Sequence, residues 1–595
     1  MHRRYLLFIV SIFSFMTIFS SEAQDRHSFD KYHSPEEVGT RLESLANANP
    51  HLTKLTVLGQ SGGERNLYLL RIAAQPEGSV QPDSRPAVFV SANIEGPHLV
   101  GTEAALLLIE KLITGYGSDD RMTSLLENKT VYVAPLLNPD GASKYFRSPQ
   151  FECYTNDSPK DEDADGLTDE DGPEDLDRDG FITQMRIKDP HGEWTPDPDE
   201  PRLMQRADPQ KGESGIYRII TEGLDNDKDG QYNEDPPGGI ELNRHFPHIL
   251  EHNLNKTDRW VDPAPETIAM IKFLTDHPNV TMVLNFSREN TLTNIEQTGR
   301  VNEKTDKMKL PNNITDMLEL NPDSVYTLRD LQDIFQEKNI LPPGLQINEY
   351  EIARFLGLDL SLSIDEEDMG FFRTVQQDYR EKMKAAGLQY SDIKTHGLDK
   401  GSFIGFCYFR YGVPVFSASL WTVPEHADIP LKEKGLTEWK PYKHPTLGHV
   451  EIGGTLPFRR INPRPEDMAT TLHFHADYYI HLITHIAELK IRDIRVTPLG
   501  DSISRVTVTF ANTGWFPTCT AQGRKSHTSW PITVRLKTTK EQMIYAGEPF
   551  EIIPFIDGGK TRQMEWKIKG KRGSQVTLSA TSFKVGTVKT VFELR

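Results

Sequence analysis

Cysteine is scarce in this chain, with only three among 595 residues, at Cys153, Cys407 and Cys519. They are far apart and can form one disulfide at most, which excludes a disulfide framework and a cysteine-based metal site. Excess positive charge is also lacking, since 67 Lys and Arg face 86 Asp and Glu for a net charge of −19. This balance argues against nucleic acid and anionic membranes as partners.

Long apolar runs are confined to the N-terminus. Residues 2–4 are basic, residues 5–19 are apolar, and residues 21–23 precede a cleavage point before Gln24, which together are typical of a secretory signal over residues 1–23. No later stretch approaches the roughly 18 apolar residues of a membrane helix. We therefore expect a secreted or periplasmic protein with no membrane span after cleavage, and its length predicts two or three domains.

The segment Val88–Leu112 organises the rest of the chain. Its β-branched start predicts a strand over Ala87–Ala92, followed by a loop at Gly96-Pro97 and a helix from Gly101. Such a loop lies at the carboxyl edge of a sheet, where α/β proteins bind ligands. It carries Glu95 and His98, which suit Zn²⁺ as a pair but are equally compatible with an ordinary polar loop.

The letters ANIEGPHLVGTEAAL around this pair resemble the zinc-binding segment of the M14 (carboxypeptidase A-like) metallocarboxypeptidases. That family has His-x-x-Glu here, whereas this chain has Glu95-x-x-His98. A second match is the strand Thr130–Leu136 followed by the turn Asn138-Pro139-Asp140-Gly141. The resemblance covers about Tyr32–Leu489 and implies an α/β fold, with a mixed central sheet flanked by helices, and zinc as the family cofactor.

The resemblance also implies a peptide ligand held by its C-terminal carboxylate. The family binds that carboxylate with an Asn-Arg pair, and Asn243-Arg244 matches it. A guanidinium fork and an amide donor suit this role. The arginine that polarises the scissile carbonyl in relatives with a similar insertion has no counterpart in residues 155–159.

Two other family positions are changed. Ser287 stands where the third zinc ligand, a histidine, is expected, and a hydroxyl is a poor zinc ligand. Ser419 stands where the glutamate that activates water is expected, and serine cannot serve as that general base. In a rebuilt site, Glu95 and His98 could still chelate zinc, with His245 as a substitute third ligand.

Residues 161–235 form an acidic insertion in which the spacing Asp-x-Asp-x-Asp-Gly occurs three times. Carboxylates at this spacing, a glycine at the turn and further acids downstream suit calcium, although a solvated acidic loop has the same composition. We interpret these as structural calcium loops. Their expected ligands are Asp161, Asp163, Asp165, Asp169 and Glu170; Asp175, Asp177 and Asp179; and Asp225, Asp227, Asp229, Asn233 and Glu234.

Two further segments of the chain, residues 300–395 and 490–595, differ in their sequence pattern. A helical insertion over 300–395, with helices predicted at Tyr326–Lys338 and Asp378–Ala386, interrupts the domain that spans 24–489. Residues 490–595 alternate with period two in about seven short runs, which predicts an immunoglobulin-like β-sandwich with an unknown partner.

Three functions follow from these patterns. The first is a catalytically inactive relative that binds a peptide or another polymer in the old substrate cleft, because both the third ligand and the base are replaced. The second is an active zinc carboxypeptidase with a rearranged metal site. The third is a calcium-dependent scaffold that acts through its β-sandwich.

Overall fold

The structure is a computed structural model that describes residues 29–160, 166–207, 214–228, 230, 232–233, 238–247, 263–293, 295, 307–310, 315, 318–322, 324–338, 364–388, 398, 401–423 and 430–595. The predicted signal lies outside these residues. The α-helices are α1 Pro35–Ala48, α2 Leu99–Gly115, α3 Asp120–Asn128, α4 Pro139–Ser143, α5 Pro265–Asp276, α6 Leu328–Glu337, α7 Glu366–Ala385, α8 Phe403–Phe409, α9 Pro465–Thr484 and α10 Ala521–Lys525. None of the described helices combines the length and apolarity needed to cross a bilayer.

The strands fall into four sheets and one short hairpin. They are β1 Thr53–Gln60, β2 Asn66–Ile72, β3 Ala87–Ala92, β4 Thr130–Ala134, β5 Gln184–Lys188, β6 Trp194–Pro196, β7 Met204–Arg206, β8 Tyr217–Thr221, β9 Val280–Phe286, β10 Met308–Lys309, β11 Val325–Tyr326, β12 Val415–Ala418, β13 Leu436–His444, β14 Gly448–Thr455, β15 Leu489–Gly500, β16 Ile503–Asn512, β17 Ile532–Lys537, β18 Met543–Ala546, β19 Phe550–Ile553, β20 Thr561–Lys569, β21 Gln575–Ser582 and β22 Gly586–Glu593.

The central sheet is mixed, which confirms the predicted fold class. Its order is β1-β2-β4-β3-β9-β12, with antiparallel pairing at β1/β2 and β2/β4 and parallel pairing from β4 to β12. Every residue of β3 and β9 is buried, as expected for strands covered by helices on both faces. Helix α2, buried along most of its length, packs against this sheet and against α9.

The parallel strands bring three predicted site residues to one edge. In the ladder, Ala92 pairs with Phe286, and Phe286 pairs with Ala418, so β3, β9 and β12 end side by side. The loops that follow carry Glu95, Ser287 and Ser419. The carboxyl edge of the sheet is therefore the candidate site, as the strand–loop–helix pattern predicted.

The acidic insertion contributes to a second sheet rather than standing alone as loops. Its strands β5, β8, β6 and β7 extend the hairpin β13–β14 in the order β13-β14-β5-β8-β6-β7. A small apolar core of Met185, Val450 and Ile452 lies beneath it. The glycines of the three repeated loops, Gly166, Gly180 and Gly230, share a left-handed backbone with φ of 99°, 90° and 94°. The three glycines therefore share a conformation that glycine adopts more readily than other residues.

The helical insertion contributes to the main core. Helix α6 lies within the predicted Tyr326–Lys338, but the predicted start at Asp378 is wrong, because α7 begins at Glu366. The Asp365 side chain accepts a hydrogen bond from the N–H of Glu367 and caps the helix at that point. The fully buried Phe372 of α7 packs in the central hydrophobic cluster, so this half of the segment is part of the domain core.

The C-terminal region is a β-sandwich, as predicted, with eight strands rather than about seven. Its sheets have the orders β15-β16-β20-β18 and β19-β17-β21-β22, all antiparallel, and enclose a separate apolar core around Trp566. The sandwich is packed onto the larger domain, where Phe516 contacts the rings of Phe371 and Phe416.

Candidate functional site

Glu95 lies at the centre of the candidate site. Its backbone carbonyl accepts the N–H of His98, which closes the loop after β3 into a tight turn. The side chain is directed inward, and the residue is 5% exposed. Its Oε1 accepts hydrogen bonds from Oγ of Ser287 at 2.8 Å and Nδ2 of Asn243 at 2.7 Å. Burial raises the pKa of the Glu95 carboxyl, and the Ser287 hydrogen bond opposes this effect.

His98 is a buried histidine at the N-terminus of α2, and it is 1% exposed. A Cβ on Gly101 would lie 2.8 Å from its Nδ1 and 3.0 Å from the carbonyl oxygen of Phe286, so glycine is required for the ring to fit there. Burial, with a smaller contribution from the positive charge of Arg288, lowers the pKa of His98 to about 3. The imidazole is therefore neutral across the physiological range.

Asn243 is hydrogen bonded to residues within the site. It lies in the 3₁₀ turn Leu242–Arg244, and its Oδ1 accepts the N–H of Phe403 at 2.9 Å. Its Nδ2 donates to Glu95 and also lies 3.3 Å from Oε1 of Glu289. The amide predicted to meet a substrate carboxylate therefore binds two carboxylates of the protein.

Arg244 and His245 lie at the rim. The Arg244 side chain is 72% exposed, and its Nε pairs with Oε2 of Glu241 at 3.1 Å. Nδ1 of His245 donates to the backbone carbonyl of Glu241 at 2.7 Å. The structure does not bring His245 into a common ligand cluster with Glu95 and His98.

Sequence reasoning missed Arg288, the residue after Ser287. Its Nη1 donates to the hydroxyl of Tyr154 at 2.7 Å, and the guanidinium carbon lies 5.1 Å from the centroid of that ring. The Tyr154 hydroxyl in turn donates to Oε1 of Glu152 at 2.5 Å. Residues 155–159 lack an arginine, but Arg288 places a guanidinium on Tyr154, the residue just before them. The available signal was a charged residue immediately after a buried strand.

Ser419 follows β12, where it is half-buried. The backbone N–H of Ser287 donates to the carbonyl of Ala418 at 3.2 Å, which fixes Ser419 beside the loop that carries Ser287. Ser419 thus lies at the same edge as Ser287, and its hydroxyl supplies no carboxylate.

The residues of this edge do not fit a catalytic zinc. Such a site needs three protein donors and a coordinated water. Here one oxygen of Glu95 receives two hydrogen bonds, and Ser287 uses its hydroxyl as one of the donors. Within the described residues, the one group of three His, Cys, Asp or Glu ligand atoms that lie within 4.8 Å of one another is Asp175, Asp177 and Glu222, in the insertion.

This acidic group includes one residue that the spacing did not predict. Glu222 is completely buried, and its two oxygens accept backbone N–H groups of Leu176 at 2.8 Å and Thr183 at 2.9 Å. Burial raises the pKa of the Glu222 carboxyl. Asp175 and Asp177 supply the neighbouring oxygens, and Asp179 donates its N–H to both of them. The chemistry of this group suits a hard cation.

The other predicted calcium ligands are distributed around the same loops. Asp161, Asp163, Asp165, Asp229 and Glu234 lie outside the described residues. Asp169 accepts the N–H of Gly238 at 2.9 Å, and Asp225 accepts that of Gly230 at 3.2 Å. Glu170 and Asp227 are half-buried, and Asn233 donates its Nδ2 to the carbonyl of Thr221 at 2.9 Å.

Comparison with known proteins matches two segments of the chain. Residues 40–179 match the zinc carboxypeptidase family, and residues 488–593 match a domain of unknown function (DUF8731). Carboxypeptidase D of Mus musculus is 33% identical over 149 residues, 24% of this chain and 10% of that protein. Carboxypeptidase A2 of Rattus norvegicus is 30% identical over 114 residues, 19% of this chain and 26% of that protein. The alignments thus span about a tenth to a quarter of these curated relatives.

Two solved structures illustrate the similarity to known folds. Carboxypeptidase A from Helicoverpa armigera is 13% identical and covers 80% of each chain with a TM-score of 0.37. Thrombin activatable fibrinolysis inhibitor is 12% identical and covers 78% of this chain and 79% of its own, also with a TM-score of 0.37. The family match includes the strand, the loop with Glu95 and His98, and the turn at Asp140, so residues 40–179 of this chain are similar to the M14 zinc carboxypeptidases.

Proposed function

We propose that this protein is an exported, non-hydrolytic M14 relative that binds peptides at the carboxyl edge of its central sheet. The observation that carries the proposal is the hydrogen bond from Ser287 to Glu95 at 2.8 Å. It joins Ser287, at the position of the third zinc ligand of the family, to Glu95, at the position of one of the first two zinc ligands. Where the family holds a cation between these side chains, this chain has a direct bond between them.

The donor set supports this interpretation. Asn243 and Ser287 both direct hydrogens at Oε1 of Glu95, and a metal ion at that oxygen would have to displace them. His98 packs against Gly101 and the backbone of Phe286, so its role in the fold does not need a metal. Both exchanged residues are thus buried, and hydrogen bonds from the protein hold the Glu95 side chain.

The residue at the general-base position also supports the proposal that the protein does not hydrolyse peptides. Ser419 has no accessible basic pKa and cannot take a proton from water. Loss of a general base alone lowers a rate by about 10²–10⁴-fold. A chain that lacks the base and the third ligand should bind a peptide without cleaving it.

One observation favours the alternative of an active enzyme with a rearranged site. Oε2 of Glu95 and Nδ1 of His98 are buried and have no hydrogen-bond partner in the structure. Unpartnered buried atoms of this kind are uncommon, and a metal ion would satisfy them. A third protein ligand would then have to be His245 or Glu289, and the loop that carries that residue would have to rearrange.

Metal content and activity measured on the same preparation test the proposal. The full chain would be stripped with EDTA, reloaded with ZnSO₄, desalted and assayed for bound zinc and for release of C-terminal residues from peptides. We expect no retained zinc and no hydrolysis, together with measurable peptide binding by calorimetry. Zinc-dependent trimming by the wild-type chain would overturn the proposal.

A restored variant provides the matched positive control. Glu95→His, His98→Glu, Ser287→His and Ser419→Glu together reinstate the family pattern. We expect this variant to retain about one zinc per chain, as three protein donors suffice for a catalytic site. Equal zinc retention by the wild-type and restored chains would contradict the claim that the native residues do not hold the metal.

We further propose that the acidic insertion binds calcium in a structural role. Asp175, Asp177 and Glu222 supply the clustered oxygens that support it, and Glu222 joins the loop to the end of β8. A bound cation would offset the repulsion between these carboxylates. Calcium would therefore fix the insertion against the hairpin β13–β14.

A further inference from the structure

We propose that Arg288 is the residue that anchors the C-terminal carboxylate of a bound peptide. This inference rests on the proposed function and names the recognition group within that site. Arg288 begins the loop after β9, one residue beyond the hydroxyl that binds Glu95. Its guanidinium therefore stands at the carboxyl edge, where the strand ends converge.

The position of the guanidinium is fixed by Tyr154. The hydrogen bond of 2.7 Å to the Tyr154 hydroxyl and the stacking of the guanidinium over its ring hold one side of the group. Tyr154 is itself held, since its carbonyl accepts Nδ2 of Asn138 at 3.1 Å and its hydroxyl donates to Glu152. Arg288 remains exposed beyond this contact, so its other N–H groups are available to a ligand. A guanidinium held on one edge and open on the other matches a carboxylate in a bidentate arrangement.

Arg288 and Arg244 differ in their ionic contacts. No acidic side chain in the described ranges forms an ion pair with it, whereas Arg244 pairs with Glu241. Glu152 accepts hydrogen bonds from the Tyr154 hydroxyl and from the N–H of Phe458 at 2.6 Å. Burial is the main cause of the lowered pKa of His98 and the raised pKa of Glu95; the charge of Arg288 adds to the first shift and opposes the second, so it acts on both residues of the site.

The pair expected from the family is poorly placed for the same role. Nδ2 of Asn243 donates to Glu95, and its Oδ1 is taken by the N–H of Phe403. Arg244 is paired and lies at the rim. Arg288 thus provides the guanidinium that Arg244 would supply in the family pattern.

Peptide binding with and without a free carboxylate tests the inference. N-acetylated pentapeptides ending in Leu, Phe or Lys would be titrated into the full chain as free acids and as C-terminal amides. We expect the wild type to prefer the free acids, and Arg288→Ala to weaken their binding about 10- to 100-fold, the range for charge-assisted hydrogen bonds. Binding of the amides should be unchanged in Arg288→Ala.

Additional variants separate the possible outcomes. Arg288→Lys keeps the charge but loses the fork, so we expect intermediate affinity. Arg121→Ala removes an exposed arginine outside the site and controls for net charge. If the wild type binds acids and amides equally, or if Arg244→Ala rather than Arg288→Ala removes the preference, the inference is overturned and peptide binding stands. If the wild type binds no peptide in either form, the proposed function and this inference both fail.

Discussion

Ser287 donates its hydroxyl to Oε1 of Glu95 across 2.8 Å, where β9 and β3 end side by side. The bond joins two loops of the central sheet through side chains that are both buried. Asn243 adds a second donor to the same oxygen. At this edge of the sheet, two neutral hydrogen-bond donors thus converge on one oxygen of the Glu95 carboxyl group.

Removal of the Ser287 hydroxyl should destabilise this edge. We expect Ser287→Ala to lower the free energy of unfolding by about 1–2 kcal/mol, because Oε1 of Glu95 keeps only its bond from Asn243. Urea denaturation followed by circular dichroism measures the change. Ser91→Ala is the matched control, since that buried hydroxyl bonds the neutral amide of Asn285 at 2.8 Å. A smaller loss in Ser287→Ala than in Ser91→Ala would contradict the expectation.

The convergence of Glu95, Ser287 and Ser419 could be predicted because each follows a readable buried strand, and parallel strands end at one edge. Arg288 and Glu222 could not be assigned in the same way. Arg288 meets Tyr154 across 134 positions, and Glu222 meets Thr183 across 39. Such partners become neighbours only through the path of the insertion, which carries no periodic signal. The start of α7 was missed because its charged first turns conceal the pattern of buried residues.

Asp140, in the turn that supported the family resemblance, joins three parts of the domain. It is completely buried, and its oxygens accept bonds from Oγ of Ser61 at 2.7 Å, Nη1 of Arg65 at 2.6 Å and the N–H groups of Gly63 and Asp157 at 2.8 and 3.1 Å. Asp140→Asn should cost about 3 kcal/mol of unfolding free energy, because an NH₂ group would face donors. Chemical denaturation tests this, and Asp157→Asn, at a more exposed position, should cost less.

Calcium should stabilise the protein through Glu222. At a calcium concentration 100 times the dissociation constant, we expect a gain of about 2.7 kcal/mol in the free energy of unfolding. Thermal unfolding with added CaCl₂ or EGTA measures it. Glu222→Gln should reduce the gain, whereas Glu451→Gln, which removes the partner of Arg186 in the same sheet, should preserve it. An equal calcium response in all three proteins would exclude Glu222 as a ligand.

Lys584 links the sandwich to the central sheet. Its Nζ donates to the carbonyl of Val280 at 2.8 Å and lies 3.9 Å from the centroid of Tyr411, while the free thiols of Cys407 and Cys519 are the titratable groups nearby. Burial lowers the pKa of Lys584 to about 7. The folded state therefore binds fewer protons than the unfolded state between about pH 7 and the ordinary lysine pKa of about 10.4.

The stability of the wild type relative to Lys584→Met should consequently rise with pH across that window, by at most about 1.4 kcal/mol per pH unit. Denaturation series at pH 6.5, 8 and 9.5 measure the trend. Lys589→Met, on the exposed face of β22, is the control and should give a flat difference. A difference that falls as pH rises would contradict the assignment of a buried, desolvated ammonium.

His475 on α9 should make the protein sensitive to mild acid. It is buried, its Nδ1 donates to the carbonyl of Thr471 at 2.7 Å, and its Nε2 accepts the hydroxyl of Tyr379 at 2.8 Å. Burial lowers its pKa from the usual value of about 6.5 to about 4. The unfolded state therefore binds the extra proton first, so stability is intact above about pH 6.5 and falls as pH drops toward 4. His475→Gln retains an acceptor for Tyr379 without titrating, and it should lose less stability between pH 7 and 4.5 than the wild type. The exposed His191→Gln should follow the wild-type curve, and a His475→Gln curve that also does so would show that another group governs the acid response.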